Sequence, residues 1–302
     1  RAKEPLALSQ VISRKGRWFL ADERRIHSRI IRYQIATDMP RLAANLTTMF
    51  TELAPIERFA AARQVGFDAV EYLQPYGHTI EELRTILTDN ELELVLINTR
   101  MGNAEAGERG VAALPGRENE FKTVVTESLE YASELGANLI HVMAGVVPEG
   151  SAVRQCEDVF IENLRMAAPI AANLGITLLI EPLNSRDVPG YLHSDSSHAR
   201  QIIDAVAMPN VLLQFDFYHL QIMEGDLAAG LAHHWPVLGH VQFSSVPGRN
   251  EPQYGEVNIP HLLGVLDDMG YSGWVGCEYR ARTTTLEGLS WAAPWGIGLK
   301  PS

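Results

Sequence analysis

Four oxygen-bearing side chains stand where short apolar runs end in the second half of the sequence: Glu181 after ITLLI, Asp216 after VLLQF, Gln242 within HVQF and Glu278 after WVGC. In extended chain, period-two alternation puts Thr177, Leu179 and Glu181 on one side, Leu212, Gln214 and Asp216 on one side, and Gly276 with Glu278 on one side. If those sides share an interior, three carboxylates and one amide converge on a point. Such a set cannot occupy a low-dielectric pocket unaided, because each like charge raises its neighbours' pKa and desolvation adds to the cost. A divalent cation resolves the conflict. Three carboxylates and an amide oxygen are hard ligands with no thiolate, which favours Mg²⁺ or Mn²⁺ over a structural zinc. For any one of these residues the bland reading is a solvated or salt-bridged acid at a strand end; the convergence of four speaks against it.

The elements that must position them alternate along the chain. Strand-like runs lie at 41–46, 67–72, 92–97, 137–142, 176–181, 210–215, 237–243 and 273–278. Helical patterns separate them at 55–65, 79–89, 119–135, 154–174, 195–207, 224–234 and 259–269. Several helices close on a Gly just before the next strand, as in ARQVGFDAV, ASELGANLI, ANLGITLLI and DDMGYSGWV, where Gly can take the left-handed position after a helix end. Eight such βα units predict an α/β fold, a single-domain (β/α)8 TIM barrel, whose chemistry sits at the C-terminal ends of its strands. A doubly wound sheet is the runner-up, but no G-x-G-x-x-G follows the first strand.

Composition narrows the partners. Of 302 residues, 46% are hydrophobic and 21% charged, with a mean hydropathy of −0.05, ample for a sizeable core. The apolar runs are far shorter than a membrane helix requires, and no signal-peptide pattern opens the chain. The net charge of −12 and pI near 5.3 oppose a polyphosphate partner, so a small molecule and not nucleic acid is expected. Cys156 and Cys277 stand alone, without disulfide or thiolate-zinc spacing, which fits a reducing cytoplasm. Residues 1–38 carry nine Lys/Arg against four Asp/Glu, whereas the remainder, with 16 basic and 33 acidic residues, holds a formal −17. The expected division is therefore an N-terminal extension, 1–38, and a catalytic barrel, 39–302.

Residues 40–295 resemble the hydroxypyruvate isomerase family of the xylose-isomerase-like barrels, which includes 2-oxo-tetronate isomerases. The matching stretches are RLAANL, GFDAVE, the AGERG and LPGRENEF loops, HVMAG, the Glu181 segment, Asp216 with His219, HVQ with VPGRNEP, and GWVGCEY followed by EGL. The resemblance implies a metal held by Glu181, Asp216, Gln242 and Glu278, with Glu181 and Glu278 as proton donor and acceptor; it implies no organic cofactor and is compatible with a homo-oligomer. Where the family favours a proline-rich PPGDW-like loop after strand three, this chain has TRMGNAE at 99–105, a departure at the mouth that bears on substrate identity.

Proton-transfer chemistry agrees with those roles. Interconverting an α-hydroxy ketone and an α-hydroxy aldehyde takes a proton from one carbon and returns one to its neighbour through an enediolate, which two carboxylates and a Lewis acid can do. His219 can donate to a substrate oxygen, or serve as a hydrogen-bonded histidine at a helix start. Arg249 offers a planar fork to a substrate carboxylate, or is an ordinary surface arginine. Asp187 faces the substrate or caps a loop. Glu71 is expected to orient neighbours, His141 and His240 to be core histidines, Cys277 to point away from Glu278, and Trp235, Trp274, Trp291 and Trp295 to be core or subunit contacts. The expected function is isomerisation of a small hydroxy-oxo acid, hydroxypyruvate to tartronate semialdehyde or a 2-oxo-tetronate. The alternatives are a ketose 3-epimerase, whose family usually has His where Gln242 stands, and a non-catalytic sugar-binding barrel.

Overall fold

In the computed structural model, residues 39–298 are described; the N-terminal extension expected at 1–38 lies outside them. Eight parallel strands close in sequence order: β1 (Arg41–Asn45), β2 (Ala69–Glu71), β3 (Glu93–Asn98), β4 (Leu139–His141), β5 (Thr177–Ile180), β6 (Val211–Asp216), β7 (Leu238–Phe243) and β8 (Trp274–Cys277). β1 and β8 complete the cylinder, with Leu42 opposite Val275 and Ala44 opposite Cys277. The barrel expected from the βα alternation is the fold observed.

The helices occupy nearly the expected spans: α1 (Glu57–Val65), α2 (Ile80–Asp89), α3 (Glu118–Leu135), α4 (Val153–Asn173), α5 (Ser196–Val206), α7 (Leu227–His234) and α8 (Ile259–Asp268). In α5, Ala199, Ile202, Ile203 and Val206 are buried, the i, i+3, i+4, i+7 stripe that faces a sheet. Thr79 caps α2 by accepting from Glu82 N while the Glu82 side chain accepts from Thr79 N. The glycines expected after helix ends, Gly66, Gly136, Gly175 and Gly270, all have positive φ. Two helices were not expected: α6 (Phe217–Met223), which starts directly from the last residue of β6, and α9 (Thr285–Gly288). No turn residues separate α6 from its strand, and seven residues are too few to show a helical period.

Two packed layers result. Between strands and helices lies the main core, which takes Cys277 on the outer face of β8, as expected. Inside the barrel, Ala43, Ala69, Val95, Leu96 and Leu179 pack with Leu139, Leu212 and Trp274. Two register shifts adjust the interior: Val95 is the extra residue where β3 meets β2, and Gly239 the extra residue where β7 meets β6. A Cβ at Gly239 would fall 2.6 Å from Leu179 and 2.7 Å from Leu212, so this position must be Gly to let those leucines meet. Trp291 packs edge-on against Phe243, Tyr279 and Trp295, and Trp295 donates to Pro40 O at 2.9 Å, so these tryptophans bind the C-terminal turn to the barrel. Among the described residues no helix is long and apolar enough to cross a membrane.

Candidate active site

The C-terminal ends of the strands surround a cavity of about 210 Å³, lined among others by Glu181, Glu278, Arg249, His141, His219 and Arg109. Glu181 immediately follows β5, Asp216 ends β6, Gln242 lies next to last in β7 and Glu278 immediately follows β8. All four are buried.

Arg249 ties the acids together. Its Nη2 donates to Glu278 Oε1 at 2.6 Å and lies 4.0 Å from Asp216 Oδ2, while Nη1 is 3.9 Å from Asp187 Oδ2 at the rim. Burial works against the guanidinium's charge, but Glu278, Asp216 and Glu181 outweigh it and raise its pKa. Its ring-facing side lies over Tyr218, 4.9 Å from the centroid. The backbone there has φ of +53°, a left-handed conformation that costs a non-glycine residue on the order of 1 kcal/mol. Hydrogen bonds from Arg249 N to Ser245 O and from Arg280 N to Arg249 O, both 2.8 Å, hold it in place.

One guanidinium does not neutralise three acids. Burial, then the charges of Glu278 and Asp216, push the Glu181 carboxyl well above the usual carboxylate range. Burial pushes Glu278 up to about 8 against the pull of Arg249, and Asp216 up to about 6. Glu181 Oε1 and Asp216 Oδ2 are buried without a hydrogen-bond partner. Orphaned carboxylate oxygens in a dry site are costly, and their donor chemistry fits a hard divalent cation.

Ligand atoms of Glu181, Asp216 and His219 lie within 4.8 Å of one another. His219, however, is oriented as a donor. Its Nδ1 accepts from Asn184 N at 3.0 Å, and a backbone N–H can only donate. Burial holds the ring neutral, so the proton resides on Nε2, which points toward Asp216 Oδ2 at 3.6 Å. A protonated Nε2 has no lone pair for a metal, and the ring presents an N–H to the cavity.

Gln242 sits opposite Asp216 in the β6–β7 register. Its Nε2 donates to Glu71 Oε2 at 2.8 Å, and its Oε1 accepts from Gln214 Nε2 at 2.6 Å. Glu71 also accepts from Asn45 Nδ2 at 2.9 Å and from His240 Nε2 at 2.5 Å, which makes it the orienting residue expected and ties His240 into the interior. A Cβ at Gly276 would lie 2.2 Å from Glu71 Oε1, so the absence of a side chain on β8 creates the space for this carboxylate. His141, expected as a core histidine, is buried and also borders the cavity: its Nδ1 is 3.1 Å from Glu181 Oε2, and burial lowers its pKa to about 3.

The residues that sequence reasoning missed are those whose roles depend on a partner from another element. Asn184 orients His219 through its backbone and side chain and accepts from Asp187 N at 2.8 Å. Arg109, inside the AGERG stretch, reaches the cavity from the loop after β3, and Met101, earlier in the same loop, also lines the wall.

Residues 59–296 match the model of the xylose isomerase-like TIM barrel family. A 2-oxo-tetronate isomerase of Cupriavidus necator is 48% identical over 257 residues, spanning 85% of this chain and 99% of that one. The chain belongs to this family. Within it, the hydroxypyruvate isomerase of Escherichia coli is 42% identical over 257 residues, 85% of this chain and all of its own length. Membership in this group makes the protein an isomerase and sets aside the non-catalytic barrel. A crystal structure from Brucella melitensis described as an AP endonuclease, family 2, is 46% identical, with a TM-score of 0.84 over 85% of this chain and 99% of that one. A D-psicose 3-epimerase from Clostridium cellulolyticum, at 18% identity and a TM-score of 0.68, shares the fold.

Proposed function

We propose that the protein isomerises a small hydroxy-oxo acid, hydroxypyruvate to tartronate semialdehyde or a 2-oxo-tetronate to its isomer, with metal assistance. The observation that carries this reading is the convergence of Glu181, Glu278 and Arg249 on one small cavity of about 210 Å³, with Asp216 buried 4.0 Å from Arg249. The names of the relatives support the substrate class.

For hydroxypyruvate the step removes a proton from C3, forms the C2–C3 enediolate and returns a proton to C2, while the hydroxyl and carbonyl oxygens exchange roles. Glu181 and Glu278 stand just past the ends of strands β5 and β8, one to accept and the other to deliver. Burial raises the pKa of both carboxyls, toward the protonated form a donor needs, and a bound cation would favour the ionised form an acceptor needs. His219 Nε2–H stabilises the developing oxyanion. Arg249 keeps Glu278 in position and offsets charge among the acids. Glu181, Asp216 and Glu278 would hold the metal, with Gln242 contributing the lone pair that Gln214 leaves free. A bound Mg²⁺ or Mn²⁺ supplies Lewis acidity toward the substrate oxygens.

The formal −17 of residues 39–302 supports a small substrate over nucleic acid. The test is incubation in deuterated water with hydroxypyruvate, 2-oxo-tetronates and neutral ketoses of three to six carbons. Conversion of an oxo acid with deuterium entering at carbon is expected. Conversion of ketoses alone would show a 3-epimerase instead.

A further inference from the structure

Two guanidinium groups line the cavity, and they are differently placed. Arg249 is engaged by carboxylates of the protein itself. Arg109 has among the described residues no carboxylate partner; its Nη1 donates to the carbonyl of Glu108 at 2.8 Å and to nothing more strongly charged. A guanidinium that faces a small cavity with most of its donors uncommitted is a receptor for an anion from outside.

The loop carrying Arg109 is built to hold it still. Glu108 accepts from Arg117 Nη1 at 2.5 Å and from Asn103 N at 2.6 Å. Gly110 N donates to Met101 O at 2.9 Å, closing the loop on itself. On its other side the chain lies directly on the extension of β4: Gly110 forms a bridge to Ala144, and Ala113 N donates to Ala144 O at 2.8 Å. That approach leaves no space for side chains. A Cβ at Gly110 would lie 2.1 Å from Met143 O, and one at Gly145 would lie 2.7 Å from Gly110 O. Asn163 from α4 donates to Ala112 O at 2.7 Å and fastens the exit of the loop. The backbone on both sides of Arg109 is thus anchored, and its guanidinium spends only Nη1, on the Glu108 carbonyl.

We propose that Arg109 binds the carboxylate of the substrate and sets the enzyme's preference for oxo acids over neutral ketoses, an inference that rests on the function proposed above. With the carboxylate held by the β3–α3 loop, the hydroxy-ketone end faces the acids that follow β5 and β8. A neutral ketose offers this arginine no counter-charge. Arg109 is a binding residue and takes no part in proton transfer, so its loss acts on KM and leaves kcat nearly intact.

The experiment measures KM and kcat for hydroxypyruvate, and Ki for its neutral amide as a competitive inhibitor, in the Mn²⁺-supplemented wild type, Arg109→Gln and Arg109→Lys. Arg109→Gln is expected to raise KM for the acid roughly 10- to 100-fold, the value of a charge-assisted pair, with kcat within about 3-fold and the amide's Ki within about 2-fold. Arg109→Lys, which keeps the charge and loses the fork, should fall between. An unchanged KM, or equal weakening of acid and amide, overturns the role of Arg109 while the isomerase reading stands. A wild type that converts no oxo acid at all overturns the isomerase reading, and this inference with it.

Discussion

The barrel interior is divided into two floors that the same strands supply. On the lower floor, Leu179, Leu212 and Trp274 pack with Ala43 and Ala69. A few residues further along those strands stand Glu181, Asp216 and Glu278, joined by Arg249. One alternating pattern therefore points hydrocarbon and then charge at a single axis. The lower floor gains free energy by excluding water, roughly 1.5–3 kcal/mol for each large apolar side chain. The upper floor holds like charges together at a cost that the lower floor offsets. Damage above should thus appear in rate, and damage below in stability.

The largest effect is expected from the proton-transfer pair. Glu181→Gln or Glu278→Gln should each lower kcat by roughly 10²- to 10⁴-fold with an unchanged circular dichroism spectrum and Tm. More than a tenth of the wild-type rate in Glu278→Gln would remove that residue from proton transfer. Exhaustive chelation is next: activity should disappear and return with Mn²⁺ or Mg²⁺, and a fully active preparation shown by elemental analysis to lack metal would exclude metal assistance.

Gln242→His tests the network between the floors. Imidazole is a softer nitrogen donor than an amide oxygen, so affinity should tilt toward Co²⁺, Ni²⁺ or Zn²⁺. A displacement near 1 Å in the site would cost on the order of 10²-fold in rate. Unchanged selectivity in calorimetric metal titration, together with near-normal turnover, would remove Gln242 from the metal site. The smallest effect on rate belongs to the lower floor: Gly239→Ala forces a methyl against Leu179 and Leu212 and should cost about 1–3 kcal/mol, seen as a lower Tm with kcat retained. A loss of rate without a loss of Tm would show that the floors are not independent.

Alternation and punctuation in the sequence were sufficient to determine the barrel, because each strand and amphipathic helix declares its own buried face, and the glycines that end α1 and α3 declare where the helices stop. They also placed Glu181, Asp216, Gln242 and Glu278 at strand ends. What a single element cannot declare is which donor meets which acceptor on another element. That Glu71 would orient neighbours was legible; that the neighbours would be Asn45, His240 and Gln242 was decided by barrel closure, by the extra residue Gly239 in β7 and by the space left at Gly276. The tautomer of His219 depends on one backbone N–H, that of Asn184, in a loop 35 residues away in the chain. Arg249 and Arg109 are the same residue type in Gly-containing loops and look alike in sequence. Only the tertiary structure gives one of them three carboxylate partners and the other, among the described residues, none, because charges separated along the chain interact according to their distance in space.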